Sequence, residues 1–210
     1  MFPTEILMTY LAACLIVVMA PGPDNILAIS RGLSQGRGAA ILSAVGAGVG
    51  ILFHTLTAAL GLSVLIQGSA TAFWVVKLVG AVYLIWLGYK ALRSGNLIAF
   101  TPAAHLPLRR VFISGALSNI LNPKPGLFVL AFLPQFVDAS RGSVPVQMLV
   151  YGAIFAVMTA ILFSVMGSFA NRLAAWLKER PKVTAGLNIG AGLTFIVSGL
   201  SVLALKSRAA

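Results

Sequence analysis

The residues of this chain that could do chemistry stand at two proline-rich interruptions of long apolar runs. The first reads Ala20-Pro21-Gly22-Pro23-Asp24-Asn25, and the second reads Asn122-Pro123-Lys124-Pro125-Gly126. Pro21 and Pro123 fall in opposite halves of the 210-residue chain, so each half carries one interruption. Proline has no N–H and clashes with the preceding turn, so paired prolines break a helix. In a bilayer, broken backbone is tolerated only where protein buries it or where it lines a wet cavity. Matching breaks in two halves are the pattern of a transporter's substrate site.

Asp24 directly follows the first break. A carboxylate inside a span costs a few kcal/mol, so it faces a cavity and has a partner. It could hold an ammonium group or exchange a proton. It could also cap the half-helix that begins at Pro23, where a carboxylate meets the positive dipole end. Asn25 could share either role. Lys124 sits between the prolines of the second break and is the counterpart of Gly22. It could attract a substrate carboxylate, helped by the free N–H groups of the half-helix after Pro125, or snorkel to water on its long stem. Asn119 and Asn122 flank that break and could bond freed carbonyls or a ligand. Lys77, in a third apolar run, could reach the interface or pair with Asp24 as a proton-coupled switch. His54 stands alone in its run and is expected to bridge two helices by a hydrogen bond.

The elements that must position these groups are membrane helices. Hydrophobic residues make up 59% of the chain and charged residues 9%, where a soluble domain carries roughly a quarter charged residues. With about 20 apolar residues per span, the chain has room for six spans and no sizeable extramembrane domain. These are expected at 5–27, 39–67, 71–92, 111–134, 144–171 and 185–205. The first run has no basic leader and no small-residue cleavage site, so it is expected to be retained.

The net charge of +11 does not signal nucleic acid, because the basic residues sit in short loops. Arg31 and Arg37 follow the first span. Lys90, Arg93, Arg109 and Arg110 follow the third, and Arg172, Lys178, Arg180 and Lys182 follow the fifth. Only Arg141, Lys206 and Arg208 lie on the other side. The positive-inside rule puts the first set in the cytoplasm and both termini outside.

Three spans per half make the halves run in opposite directions. The order of broken helix, long Gly/Ala-rich helix and third helix recurs, with Gly80-Ala81 matched by Gly190-Ala191. The fold expected is therefore an all-α membrane protein of one domain, residues 1–210. Two inverted three-helix repeats, 1–95 and 108–210, would each open on a broken helix. Gly46 with Gly50, and Gly186 with Gly190, are spaced for close helix packing and leave room for a homodimer.

Other chemistries lack their residues. Cys14 is the one cysteine, so dithiol redox chemistry has no partner. His54 and His105 are far apart and only four residues are acidic. No metal site, and no cofactor, is expected. Ser114 or Ser118 near His54 lacks a nucleophile motif, so an enzyme is not expected. A passive channel is the alternative reading, set apart by having no need of two mirrored breaks.

Taken together, the chain resembles the lysine/threonine exporter family of bacterial inner-membrane proteins, often called the LysE or RhtB family. The matching blocks are Pro21-Gly22-Pro23 with Arg31-Gly32 and Gly36-x-Gly38, then Gly46-x-Gly48-x-Gly50 with Leu60-Gly61-Leu62. Lys77 to Leu84 with Gly88 follows, and then Asn122-Pro123-Lys124-Pro125 with Phe132 to Val137. The resemblance covers the whole chain. It implies a multi-pass inner-membrane exporter of an amino acid or close derivative, driven by the proton gradient and nearest to the homoserine/threonine branch. Other small metabolites and basic amino acids are the alternative cargo.

Overall fold

The computed structural model describes residues 3–20, 22–68, 70–93 and 102–204, and among these there is no strand. The helices are α1 (Thr4–Met19), α2 (Pro23–Gln35), α3 (Arg37–Gly68), α4 (Ala70–Arg93), α5 (Leu108–Ile120), α6 (Pro123–Leu127), α7 (Val144–Ser168), α8 (Ala170–Lys178) and α9 (Pro181–Ala204). Between α6 and α7 the coil runs on as a π turn over Phe128–Phe132 and 3-10 turns over Leu133–Phe136 and Ala139–Arg141.

The prolines set the breaks through the residues before them. A residue that precedes proline is pushed out of the helical region. Ala20, before Pro21, has ψ 127°, and Gly22, before Pro23, has ψ 172°. Asn122, before Pro123, has ψ 116°. Helices restart at Pro23 and at Pro123, because the first turn needs no N–H there. The first broken pair bends by 59° and the second by 50°. Pro134 likewise cannot donate to the ladder and crowds the carbonyl four residues back, which fits the wide π turn just before it. Between α2 and α3 the chain turns at Gly36, whose φ of 79° favours glycine.

Two helices, Arg37–Gly61 and Val144–Ser168, are long and apolar enough to cross a membrane, and each bent pair would add one more span. The expected run 5–27 is in fact two helices, the second reaching Gln35. The expected run 111–134 is α5 followed by the mixed coil to Phe136. Arg31, expected in a loop, lies inside α2 and is buried. Pro145, at the start of α7, and Pro181, at the start of α9, occupy first-turn positions that a helix tolerates.

Close helix contacts are made at glycines. A Cβ on Gly46 would run into the Phe112 carbonyl of α5, and one on Gly115 into the Ser43 carbonyl of α3. Gly48 faces Ala156 and Gly152 faces Thr55, so α3 and α7 cross antiparallel. Gly88 against Gly192, and Gly199 against Ala81, make α4 and α9 antiparallel as well. Lipid offers no hydrophobic drive to pair helices, so contact at small residues has to supply it. The expected Gly186/Gly190 pair does not do this: a Cβ at either would meet nothing within 4 Å. Gly192 and Gly199, further along α9, make the close approach instead.

One side of the breaks is closed by aromatic rings. Tyr10 of α1 donates its hydroxyl to the Tyr151 carbonyl at 2.8 Å. Its ring lies 4.7 Å from that of Tyr151 and 5.0 Å from Phe136. Phe128 and Phe132 continue the cluster toward Phe155.

Gly46→Ala should destabilise the protein by about 2 kcal/mol, because backbone on the facing helix cannot yield to a methyl group. Gly186→Ala should be neutral or stabilising by up to about 1 kcal/mol through helix propensity. Thermal unfolding of the two variants in detergent, followed by loss of the monodisperse peak, checks the contrast.

Candidate functional site

The two breaks face each other, and each supplies what the other lacks. Asp24 is the second residue of α2 and is 4% exposed. Its carboxylate does not cap its own helix. It crosses to the second break, where Oδ1 accepts from the Ser118 hydroxyl at 2.9 Å. Oδ2 accepts from the side-chain amides of Asn119 at 2.8 Å and Asn122 at 3.0 Å. Ser118 and Asn119 come from the last turn of α5, and Asn122 from the extended residue that opens α6.

Lys124 returns the contact in the other direction. It is 7% exposed, and its ammonium donates to the carbonyls of Ala20 at 3.0 Å and Val17 at 3.4 Å. Those carbonyls belong to the end of α1, where no intrahelical donor is left for them. A Cβ on Gly22 would lie 2.8 Å from Lys124 Nζ. The chemical difference between the middle residues of the two Pro-x-Pro elements is thus a fit: glycine leaves the space through which lysine reaches.

Each break is also capped from within. Asn25 Oδ1 accepts from the Gly22 N–H at 2.8 Å, and its amide donates to the carbonyls of Ala20 at 3.0 Å and Val18 at 3.4 Å. Asn122 Oδ1 accepts from the Lys124 N–H at 3.0 Å. His54 Nε2 lies 3.1 Å from the Asn119 carbonyl. A carbonyl only accepts, so the proton sits on Nε2. The His54 ring also rests on Gly126, where a Cβ would come within 3.0 Å of it. His54 therefore braces both sides of the second break, in the helix-bridging role expected of it.

Two features give this site its chemical character. Asp24 and Lys124 are buried charges of opposite sign that do not pair: among the described residues the ion pairs are Asp138–Arg141 and Glu179–Arg180. In addition, Asn119 Oδ1 is buried without a hydrogen-bond partner. An ammonium carries three N–H groups, and Lys124 uses two of them on backbone carbonyls.

The structure brings Asp24, Asn25, Asn119, Asn122 and Lys124 into one cluster. Lys77 lies in α4, but its side chain and Pro21 lie outside the described residues, so a Lys77–Asp24 pair is not seen. Sequence reasoning missed Ser118 as a partner of Asp24. Its position four residues before Asn122 and next to Asn119 was the signal available.

Asp24→Asn should lower thermal stability by about 3 kcal/mol, since an amide placed against three donors leaves buried N–H groups facing one another. Ser118→Ala, which removes one hydrogen bond to a charged group, should cost about 1.5 kcal/mol. A double-mutant cycle of the two, read by chemical denaturation in detergent, should give a coupling near the smaller value.

The family described as LysE type translocator matches residues 15–206. A homoserine/homoserine lactone efflux protein of Salmonella typhimurium is 30% identical over 191 residues, covering 90% of this chain and 92% of its own. A leucine efflux protein of Klebsiella pneumoniae is 30% identical over 209 residues, covering 95% of both chains. A membrane protein of Vibrio cholerae with no assigned function is 29% identical over 201 residues, covering 95% and 97%. No solved structure gives a significant match.

Proposed function

Because the chain belongs to the LysE type translocator family, we propose that it exports small neutral amino acids of the homoserine or threonine kind across the bacterial inner membrane, by proton antiport. The observation that carries this reading is the pair of buried opposite charges, Asp24 and Lys124, which stand at the facing breaks without forming an ion pair with each other. A zwitterionic amino acid presents the complement of both. Its ammonium would lie against the Asp24 carboxylate, and its carboxylate against the third N–H of Lys124. Asp24 would exchange the substrate amine for a proton. Asn25 and Asn122 would hold the break backbone in place while it does so, and Lys77 is the further group proposed to take part.

Alternating access is the mechanism that suits this geometry. The reading takes each bent pair, α3, α4, α7 and α9 as six spans in two inverted repeats, with the termini in the periplasm and the arginine-rich ends in the cytoplasm. The antiparallel crossings of α3 with α7 and α4 with α9 support it, because corresponding helices of inverted repeats run in opposite directions. The aromatic closure around Tyr10 lies on the periplasmic side of the breaks in this reading. Rocking of one repeat against the other would exchange it for closure at the far side. Relatives named for homoserine and for leucine efflux support the cargo class.

Counterflow in proteoliposomes tests the proposal. Vesicles preloaded with unlabelled threonine or homoserine should accumulate the labelled amino acid, and lysine preload should drive little. Asp24→Asn should reduce the exchange at least about tenfold, the loss of one charge-assisted contact, and should flatten its dependence on pH. Absence of counterflow with every amino acid tried would overturn the proposal.

A further inference from the structure

Arg31 was counted from sequence as an orienting charge in a loop. It is instead a helical residue of α2, only 5% exposed, about two turns beyond Asp24 and away from the aromatic closure. Among the described residues no acidic side chain pairs with it. Its Nη1 donates to Gln35 Oε1 at 3.2 Å and to the Ala104 carbonyl. Its Nε is buried with no hydrogen-bond partner at all.

The segment over Arg31 belongs to the connection between the two halves, and it is strapped down. The Ala103 N–H donates to the Ser30 carbonyl at 3.3 Å. Gln35 brackets Leu106, donating to its carbonyl at 2.7 Å and accepting its N–H at 3.0 Å. The Gln35 amide also lies 3.4 Å from His105 Nδ1.

An arginine near the end of a helix has an ordinary explanation: its charge suits the negative dipole end, and here it also fixes the strap. That accounts for Nη1 but not for Nε. Nε and Nη2 form the side of the guanidinium that takes a carboxylate with two parallel bonds. A buried, unsatisfied donor costs free energy, so a shielded Nε on a cation without a counter-ion marks a place where an anion belongs.

We propose that Arg31 is a second, carboxylate-binding station, at the end of α2 opposite the aromatic closure, with the 103–106 segment as its cover. The inference rests on the amino-acid export reading and adds a step to it. The transported amino acid is held by its carboxylate on the Nε/Nη2 fork as it passes between that face and the paired breaks. Nη1, anchored to Gln35, keeps the fork oriented when the cover lifts. Lys124 then takes over the same carboxylate deeper in.

The test measures threonine counterflow as a function of concentration in the wild type, Arg31→Lys, Arg31→Gln and Gln35→Ala, each confirmed monodisperse in detergent. Lysine keeps the charge and can donate, but it has no planar fork to take a carboxylate with two parallel bonds. The half-saturating concentration should rise about tenfold or more in both Arg31 variants, with a maximal rate within about twofold of wild type. Gln35→Ala, which loosens the cover and removes an anchor of Nη1, should change the rate and raise half-saturation by less than either Arg31 variant does. An Arg31→Lys variant that saturates like the wild type would overturn the proposal, as would a fall in rate alone, which marks Arg31 as strap only. If the wild type shows counterflow with no amino acid tried, the export reading fails and this inference falls with it; if another amino acid exchanges in place of threonine, the same variants are measured with that one.

Discussion

The Asp24 carboxylate has to be satisfied inside an apolar protein, and its own half of the chain does not do it. A charge of this kind is tolerated in a span only with partners, and Asp24 finds them in Ser118, Asn119 and Asn122 of the other half. Lys124 meets the reverse requirement by taking the orphan carbonyls at the end of α1. These crossed contacts bring the two breaks together. Each would be a liability alone, since a helix end buried without donors or acceptors is costly. Facing each other, one break's surplus of acceptors meets the other's surplus of donors.

The remaining helices hold that arrangement at close range. Gly46 and Gly50 of α3 let α5 approach until backbone meets backbone, which carries Ser118 and Asn119 to Asp24. Gly32 and Gly167 do the same between α2 and α7. His54 ties α3 to both sides of the second break. Packing at small residues thus carries the precision of the polar cluster, as expected where neighbouring lipid is as apolar as the helices themselves.

Two chemically different sets of contacts flank the cluster. Tyr10, Phe128, Phe136, Tyr151 and Phe155 pack their rings on one side, where the Tyr10 hydroxyl donates to the Tyr151 carbonyl. Arg31 and Gln35 hold the other side with hydrogen bonds to the connecting segment. Packed rings can part with little loss of hydrogen bonding, whereas the polar strap can release only if its donors and acceptors find other partners. A passing solute with a carboxylate is such a partner for Arg31.

The sequence by itself determined the class of fold and the positions of the breaks. Apolar content fixes a helical membrane protein, and the conformational rule for residues before proline fixes extended backbone at Ala20, Gly22 and Asn122. It also singled out Asp24, Asn25, Asn119, Asn122 and Lys124, because polar groups within apolar runs are conspicuous one by one. Only the tertiary structure decided which of them meet, since those contacts join residues about a hundred positions apart and local patterns carry no record of them. It showed Asp24, which the sequence left open between a binding group and a helix cap, bridging to the other break, and made Ser118 its partner. It also moved Arg31 from a loop charge to a buried guanidinium: α2 continues beyond the apolar run, and burial there comes from the connecting segment folding over it. The same limit explains Gly186 and Gly190, whose spacing suited packing while the facing helix was placed at Gly192 and Gly199. Spacing states what a helix could touch, and only the packed structure supplies the other surface.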